Sequence, residues 1–395
     1  MRRAIVPGSG PFIALIAGMI ALTAMSIDIN LPAIPGTAEA LGSSLTTAQL
    51  TVTVFFAGFA FGQLLWGALS DRYGRKPGII IGTVIYLVAT VGCALAPNMS
   101  ALLAFRLIEG LGAGAGAVLA RAVVRDQFTG PQMARILSLV MAAFIIAPIV
   151  APSIGAVILT FASWRWIFGF LAIYGCVVLV LAVLFLEESL TIKDPRALDP
   201  TRLLRAFAVV FRDARSRSWA AVLTLMGGAL TVYLTNSSAV LMDGYGLSPS
   251  QFGIAFSAVA ACTSVGSLLN SRLVHRISLV RLIRLAHLAA VAMALAGLVF
   301  AVTGFGGIWS LIFTMAVFFA CFGPIASNST TLALEPHATG AGSAAAALGF
   351  MQTVVPAIIA SGVAALYDGT AVPMFASMLV LSALGGVIAA RWRAS

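Results

Sequence analysis

A chain of 395 residues of which 61% are hydrophobic and only 9% charged is not a soluble globular protein, since ordinary domains are about half apolar and a quarter charged. The net charge of +10 is not a nucleic-acid footprint, because the basic residues, all arginine except Lys76 and Lys193, sit mostly in the connections between apolar runs. Cys93, Cys176, Cys262 and Cys321 fall inside those runs at spacings that fit no metal site or disulfide framework. No Walker motif, catalytic triad or ligand cluster is present, so neither an enzyme nor a bound cofactor or metal is expected.

The apolar runs, in chain order, are 11–33, 46–69, 78–97, 100–124, 134–159, 165–186, 217–241, 250–272, 280–302, 306–332, 340–366 and 371–390. Each is long enough to cross a hydrocarbon layer about 30 Å thick, and in lipid each must be helical to satisfy its own backbone. The fold class is therefore an all-α membrane protein with twelve transmembrane helices in two six-helix bundles. The start Met1-Arg2-Arg3 has the flank of a signal peptide, but the long first run and the spans after it predict a retained helix. Arg and Lys concentrate at the N-terminus, the 2–3, 4–5, 6–7 and 8–9 connections and the C-terminus. The opposite loops hold Glu39, Asp243 and Asp368, with Arg165 the only base. Both termini are thus expected in the cytoplasm.

The polar segment 187–216 lies near mid-chain and reads as a cytoplasmic linker carrying an amphipathic surface helix. It separates an N-terminal bundle, 1–186, from a C-terminal bundle, 217–395. The halves echo each other. "GALSDRYGRK", from Gly67, and "GSLLNSRLVHR", from Gly266, both follow a second helix, with Asn270 where Asp71 would be, and Pro152 and Pro356 stand in matching fifth helices. Weak parallel six-span repeats suit a transporter.

The 2–3 connection is the densest cluster of charge outside the linker. Gly67 is expected to admit a close helix, and Gly74 to make the turn. Asp71 can accept from a helix N-terminus, and Arg72 and Arg75 can pair with carboxylates. Such a cluster can latch one conformational state as bundles move. In the fourth run, "GLGAGAGA" (110–117) follows no strand and lacks the Lys-Ser/Thr of a phosphate loop, so its glycines serve helix packing. Pro148 and Pro152 interrupt the fifth run and allow it to bend.

G-x-L-S-D-R-x-G-R-K matches the 2–3 loop signature of the major facilitator superfamily, and the likeness of spans, linker and halves covers the whole chain. "SIDINLPAIP" (26–35) and "FRLIEGLGAGAGAVLARAVVRD" (105–126) resemble helices one and four of the Bcr/CflA drug-resistance transporters, a group that includes chloramphenicol and florfenicol exporters. "APIVAPSIGA" (147–156), with Pro148, Pro152 and Gly155, is similar to the antiporter motif of helix five, and "SWRWIF" (163–168) to the start of helix six. The chain departs from the pattern at Glu109, where Gln is usual, and at Ala147, Ala151 and Ala156, which replace glycines.

Asp28, Arg106 and Glu109 are ionisable residues well inside spans, where a charge costs about 2.5–3.5 kcal/mol and requires a function or a partner. Asp28 and Arg106 lie at the same depth, roughly 8–10 Å from the outer surface at about 1.5 Å per residue. The resemblance implies that helices one and four flank a cavity, so that Asp28 would bind the coupling proton under the control of Arg106. Glu109 shares a helix face with Arg106 and is expected either to neutralise it or to serve as a second proton site or drug anchor. Tyr233, Asn236, Asn328 and Gln352, with Phe144 and Met351, are candidates for a substrate cavity, or alternatively for helix packing. The expectation is a monomeric, proton-driven exporter of small amphipathic drugs in the bacterial inner membrane, energised by the proton gradient, with no nucleic-acid partner. A metabolite, nucleoside or sugar carrier of the same fold is the alternative, and a non-transporting sensor a more distant one.

Overall fold

Polar residues at the ends of the apolar runs set where the helices begin. Ser9, Ser44, Asn98, Asp213 and Ser248 each accept a hydrogen bond from a first-turn N–H, and Ser248 and Gln251 form a reciprocal capping box. The structure is a computed structural model. It describes residues 5–199, 201, 208, 211–337 and 341–392, without the side chains of 134, 141–145, 337, 341–344 and 346.

The described chain contains twelve long helices: α1 (Gly10–Asp28), α2 (Leu45–Tyr73), α3 (Arg75–Ala94), α4 (Met99–Gln127), α5 (Gly130–Phe161), α6 (Arg165–Phe185), α7 (Ala214–Ser238), α8 (Pro249–Leu273), α9 (Leu279–Thr303), α10 (Gly307–Ala320, resuming as Phe322–Leu334), α11 (Ala341–Ala365) and α12 (Val372–Ala390). A 3-10 turn at Leu31–Ala33 and the short helix Ile34–Ala40 extend α1. Eleven helical segments are long and apolar enough to cross a membrane, and α5 contributes the shorter apolar stretch Ile146–Phe161. No strand occurs among the described residues. The molecule is a multi-span membrane protein.

The chain divides into two compact units, Met1–Arg202 and Leu203–Ser395. The amphipathic helix expected in the linker lies largely outside the described residues.

In the first unit α4 packs against α2, α3 and α1. Its small residues permit this: a Cβ on Gly110 would stand 2.1 Å from the Phe55 carbonyl oxygen, and one on Gly112 2.5 Å from the Tyr86 nitrogen. Phe12, Ile16, Trp66, Ile79, Leu119, Val123 and Val178 fill the space between these helices and α6. Gly67 plays no such part, since a Cβ there would meet only Val118, at 3.9 Å. The expected close approach at Gly67 is corrected accordingly.

In the second unit α7 packs on α11, α12 and the second half of α10. Trp219 and Trp392 pack with ring centroids 6.3 Å apart. Arg284 closes the end of α12 by donating to the Ala389 and Ala390 carbonyls, at 3.2 and 2.9 Å, and to that of Trp392.

Candidate functional site

The first unit buries a polar cluster around Arg106. Its Nη1 donates to Glu109 Oε2 at 2.8 Å and to the Ser26 carbonyl at 3.1 Å, and its Nε donates to the Thr51 carbonyl at 3.3 Å. The guanidinium lies over the Phe55 ring at 4.4 Å and has Phe168 at 5.8 Å. Side-chain exposure is 1% for Arg106 and 0% for Glu109. One side chain on α4 thus ties α1, α2 and its own helix together. Glu109 also lies 3.0 Å from the Thr90 hydroxyl and 3.7 Å from the Cys93 thiol, both on α3. Ser26 gives its proton to the Leu22 carbonyl at 2.7 Å, which leaves Tyr86 as the donor in their 2.8 Å contact.

Asp28 occupies the last turn of α1 and is 4% exposed. Its carboxylate makes no hydrogen bond or ion pair with any described residue. The depth argument brings Asp28 level with Arg106, but the structure pairs Arg106 with Glu109 instead; depth fixes height along a helix, not rotation about it. Next to Asp28, α5 presses on the backbone: a Cβ on Gly155 would stand 2.1 Å from the Ile29 carbonyl oxygen and 3.2 Å from Pro32. Ala147, Ala151 and Ala156 are all buried. The packing of α5 on α1 therefore survives the loss of the other motif glycines. Pro148 and Pro152 lie within α5, which continues through both.

A small cavity touches this cluster. It is lined by Asn30, Ile34, Thr37, Ala48, Thr51, Leu102, Arg106 and Phe168, near the starts of α2, α4 and α6. Arg106 Nη2 has no protein partner.

At the opposite end of the unit, Gly74 turns the chain between α2 and α3 at φ +118°. Arg75 pairs with Asp71 at 2.5 Å and, through Nε, with Asp126 at 2.8 Å, and donates to Ser70 Oγ at 2.7 Å. Glu188, just after α6, accepts from the Arg75 and Lys76 backbone N–H groups at 2.8 and 3.1 Å. This carboxylate, and not Asp71, serves the α3 N-terminus, where the helix dipole favours an anion. Ser189 donates to Asp126 at 3.1 Å, and the Asp194 N–H to the Asp71 carbonyl at 2.9 Å, so the start of the linker is bound to the turn. Arg72 departs from expectation: it is exposed, lies 5.3 Å from the Tyr73 ring centroid and joins no ion pair among the described residues. Sequence reasoning missed Glu188. Its signal was a carboxylate directly after an apolar run, in a chain with few acids.

The second-half candidates do not converge on one site. Tyr233 is buried in an aromatic cluster, 5.2 Å from Phe256 and 4.7 Å from Phe319 by ring centroids. Asn236 is buried and donates to the Val232 carbonyl at 2.8 Å. Asn328 is buried and exchanges amide hydrogen bonds with Asn270 at 2.9 and 3.2 Å, a packing contact between α8 and α10. Gln352 is exposed and Met351 half-buried. The Phe144 side chain lies outside the described residues.

Residues 16–363 match the family model described as Major Facilitator Superfamily. The chain belongs to that superfamily. It is similar to the uncharacterized MFS-type transporter YdgK of Bacillus subtilis (strain 168), with 31% identity over 95% of this chain and 94% of that protein. It is 29% identical to a bicyclomycin resistance protein homolog of Haemophilus influenzae, over 93% and 92%, and 28% identical to multidrug resistance protein D of Escherichia coli (strain K12), over 87% and 86%. The fold is that of the xylose transporter XylE from E. coli (TM-score 0.71, 15% identity, 96% and 98% of the two chains) and of a bacterial homolog of the lysosomal transporter Spinster (0.72, 15%, 98% and 100%). The superfamily assignment makes the chain a transporter and not an enzyme.

Proposed function

We propose that this superfamily member exports small amphipathic drugs in exchange for protons, by alternating access in a bacterial cytoplasmic membrane, as a monomer with both termini in the cytoplasm. No bound cofactor is needed, because the proton gradient supplies the energy. The observation that carries the reading is Asp28, a buried carboxylate without a partner among the described residues, in a chain with relatives named for resistance to bicyclomycin and to multiple drugs. A carboxylate without a counterion inside a membrane is costly when ionised and inexpensive when protonated, so a site that visits solvent on alternate sides loads and releases a proton. Drug and proton are then linked through the same unit.

The test is export by inverted vesicles from an efflux-deficient host. Asp28→Asn keeps size and hydrogen bonding but removes the titratable group. It abolishes drug-induced proton movement and uphill export, while drug binding in detergent persists and loses most of its pH dependence. An Asp28→Asn protein that moves protons like its parent on drug addition overturns the assignment.

A further inference from the structure

We propose that Glu109 is a positioning residue: it stays ionised as the fixed counterion of Arg106, and the coupling proton does not pass through it. The proposal rests on the exporter reading above and deepens it by dividing the labour between the two buried carboxylates of the first unit.

The two acids meet opposite circumstances. Among the described residues Asp28 has no ion-pair partner, so taking up a proton removes an uncompensated buried charge. Glu109 holds Arg106 at 2.8 Å, with both side chains sealed from solvent. Protonating Glu109 would strand a buried guanidinium, which costs as much as removing one partner of any buried ion pair. A proton arriving in the unit therefore goes to Asp28.

The neighbours of the pair support the same division. From α3 come the hydroxyl of Tyr86, bonded to Ser26, the thiol of Cys93 and the hydroxyl of Thr90. From α6 comes the Phe168 ring, 5.8 Å from the Arg106 guanidinium. The charges of α2, Asp71 and Arg72, lie at its far end, and α5 carries only Arg135, in its second turn. Among the described residues no other ion pair reaches either member, and Arg165, at the start of α6, donates instead to the Ala96 carbonyl at 3.0 Å. The small cavity is lined by Arg106 and not by Glu109. What Glu109 does is hold one guanidinium nitrogen inward, while Nε reaches α2 and Nη1 also reaches α1. Arg106 is thereby kept from turning toward Asp28, two residues beyond the Ser26 carbonyl that it grips.

The experiment uses the full chain in proteoliposomes, with chloramphenicol as a neutral probe and tetraphenylphosphonium as a lipophilic cation. Glu109→Gln retains probe-linked proton movement for both probes alike, and its pH profile moves acidward by about one unit. That is the effect of an unneutralised unit charge roughly 10 Å away in a medium of effective dielectric near 20. Glu109→Asp, which keeps the charge, restores the parental profile. If Glu109→Gln proves too unstable to purify, infrared difference spectra of Asp28→Asn decide the question. Beside the band of the exposed carboxyls, the separate high-frequency C=O band of a buried, unbonded carboxylic acid that the parent gains on acidification disappears in this variant. A folded Glu109→Gln protein without proton movement, selective loss of the cation, or a band that persists in Asp28→Asn overturns the role of Glu109 and leaves the exporter reading intact. A parent that moves no protons with any transported drug overturns both.

Discussion

Arg106 shows how far a single residue can be read before its surroundings are known. That a guanidinium inside a span needs partners followed from charge alone, but which partners it found depended on helix rotation. The i,i+3 relation to Glu109 was legible because it is local. The bonds to the Ser26 and Thr51 carbonyls were not, because they depend on how α1 and α2 lie against α4. Arg106→Ala leaves Glu109 buried and uncompensated, a loss of about 3–5 kcal/mol, to be seen as a large fall in the thermal midpoint of the detergent-solubilised protein. Gly155 carries a comparable lesson. The antiporter motif has Ala147, Ala151 and Ala156 in place of its other glycines. Gly155 is the position where α5 meets the Ile29 carbonyl, and it retains the glycine. Gly155→Val forces α5 away from α1 next to Asp28 and costs about 1–3 kcal/mol by overpacking. The same change at Gly67, where a Cβ would meet only the Val118 side chain at 3.9 Å, lowers the midpoint less.

At the scale of elements, the helices were legible because an apolar run of spanning length has only one way to satisfy its backbone in lipid. The glycine and proline signals told less. Glycine at Gly67 suggested a close crossing, yet α2 meets the α4 backbone closely at Gly58 and Gly62 instead, since spacing shows that a helix has a small face and not which neighbour it meets. The latch was half legible. Asp71, Arg75 and Asp126 belong to quoted motifs, but Glu188 comes from beyond α6, and no local pattern links it to the α3 N-terminus. Two carboxylates act on the same turn by different routes. Asp71 neutralises Arg75, while Glu188 caps two backbone N–H groups of α3. Glu188→Gln keeps a capping oxygen but loses its charge, a change worth about 0.3–1 kcal/mol. Asp71→Asn removes an ion-pair partner of Arg75, which keeps Asp126. Both variants remain in the membrane. In stopped-flow export assays Asp71→Asn turns over more slowly, whereas Glu188→Gln shows earlier proteolytic cutting in residues 188–199. Parental turnover in purified Asp71→Asn would remove the latch role.

Across the whole molecule, the sequence repeat becomes a comparison of two units that solve one packing problem with different chemistry. Where the first unit joins the end of α2 to its neighbours through Asp71, Arg75 and Asp126, the second joins the end of α8 to α10 through Asn270 and Asn328, with Ser327 also accepting from Asn270 at 3.1 Å. The substitution of Asn for Asp was visible in the sequence as a degraded repeat. Its consequence was not visible, because Asn328 stands far along the chain and read as a cavity residue. A reciprocal amide pair carries no net charge and is indifferent to salt, whereas an ionic cluster with one exposed member is screened as salt rises. Raising ionic strength should therefore speed hydrogen exchange at the end of α2 and the start of α3, and leave the ends of α8 and α10 unchanged. Asn270→Ala should do the reverse. It strands the buried amide of Asn328, at a cost of about 1–3 kcal/mol, and speeds exchange in the second unit at every salt concentration. If the Asn270→Ala effect fades as salt is raised, or if both units respond to salt alike, the division between an ionic unit and a neutral one is wrong.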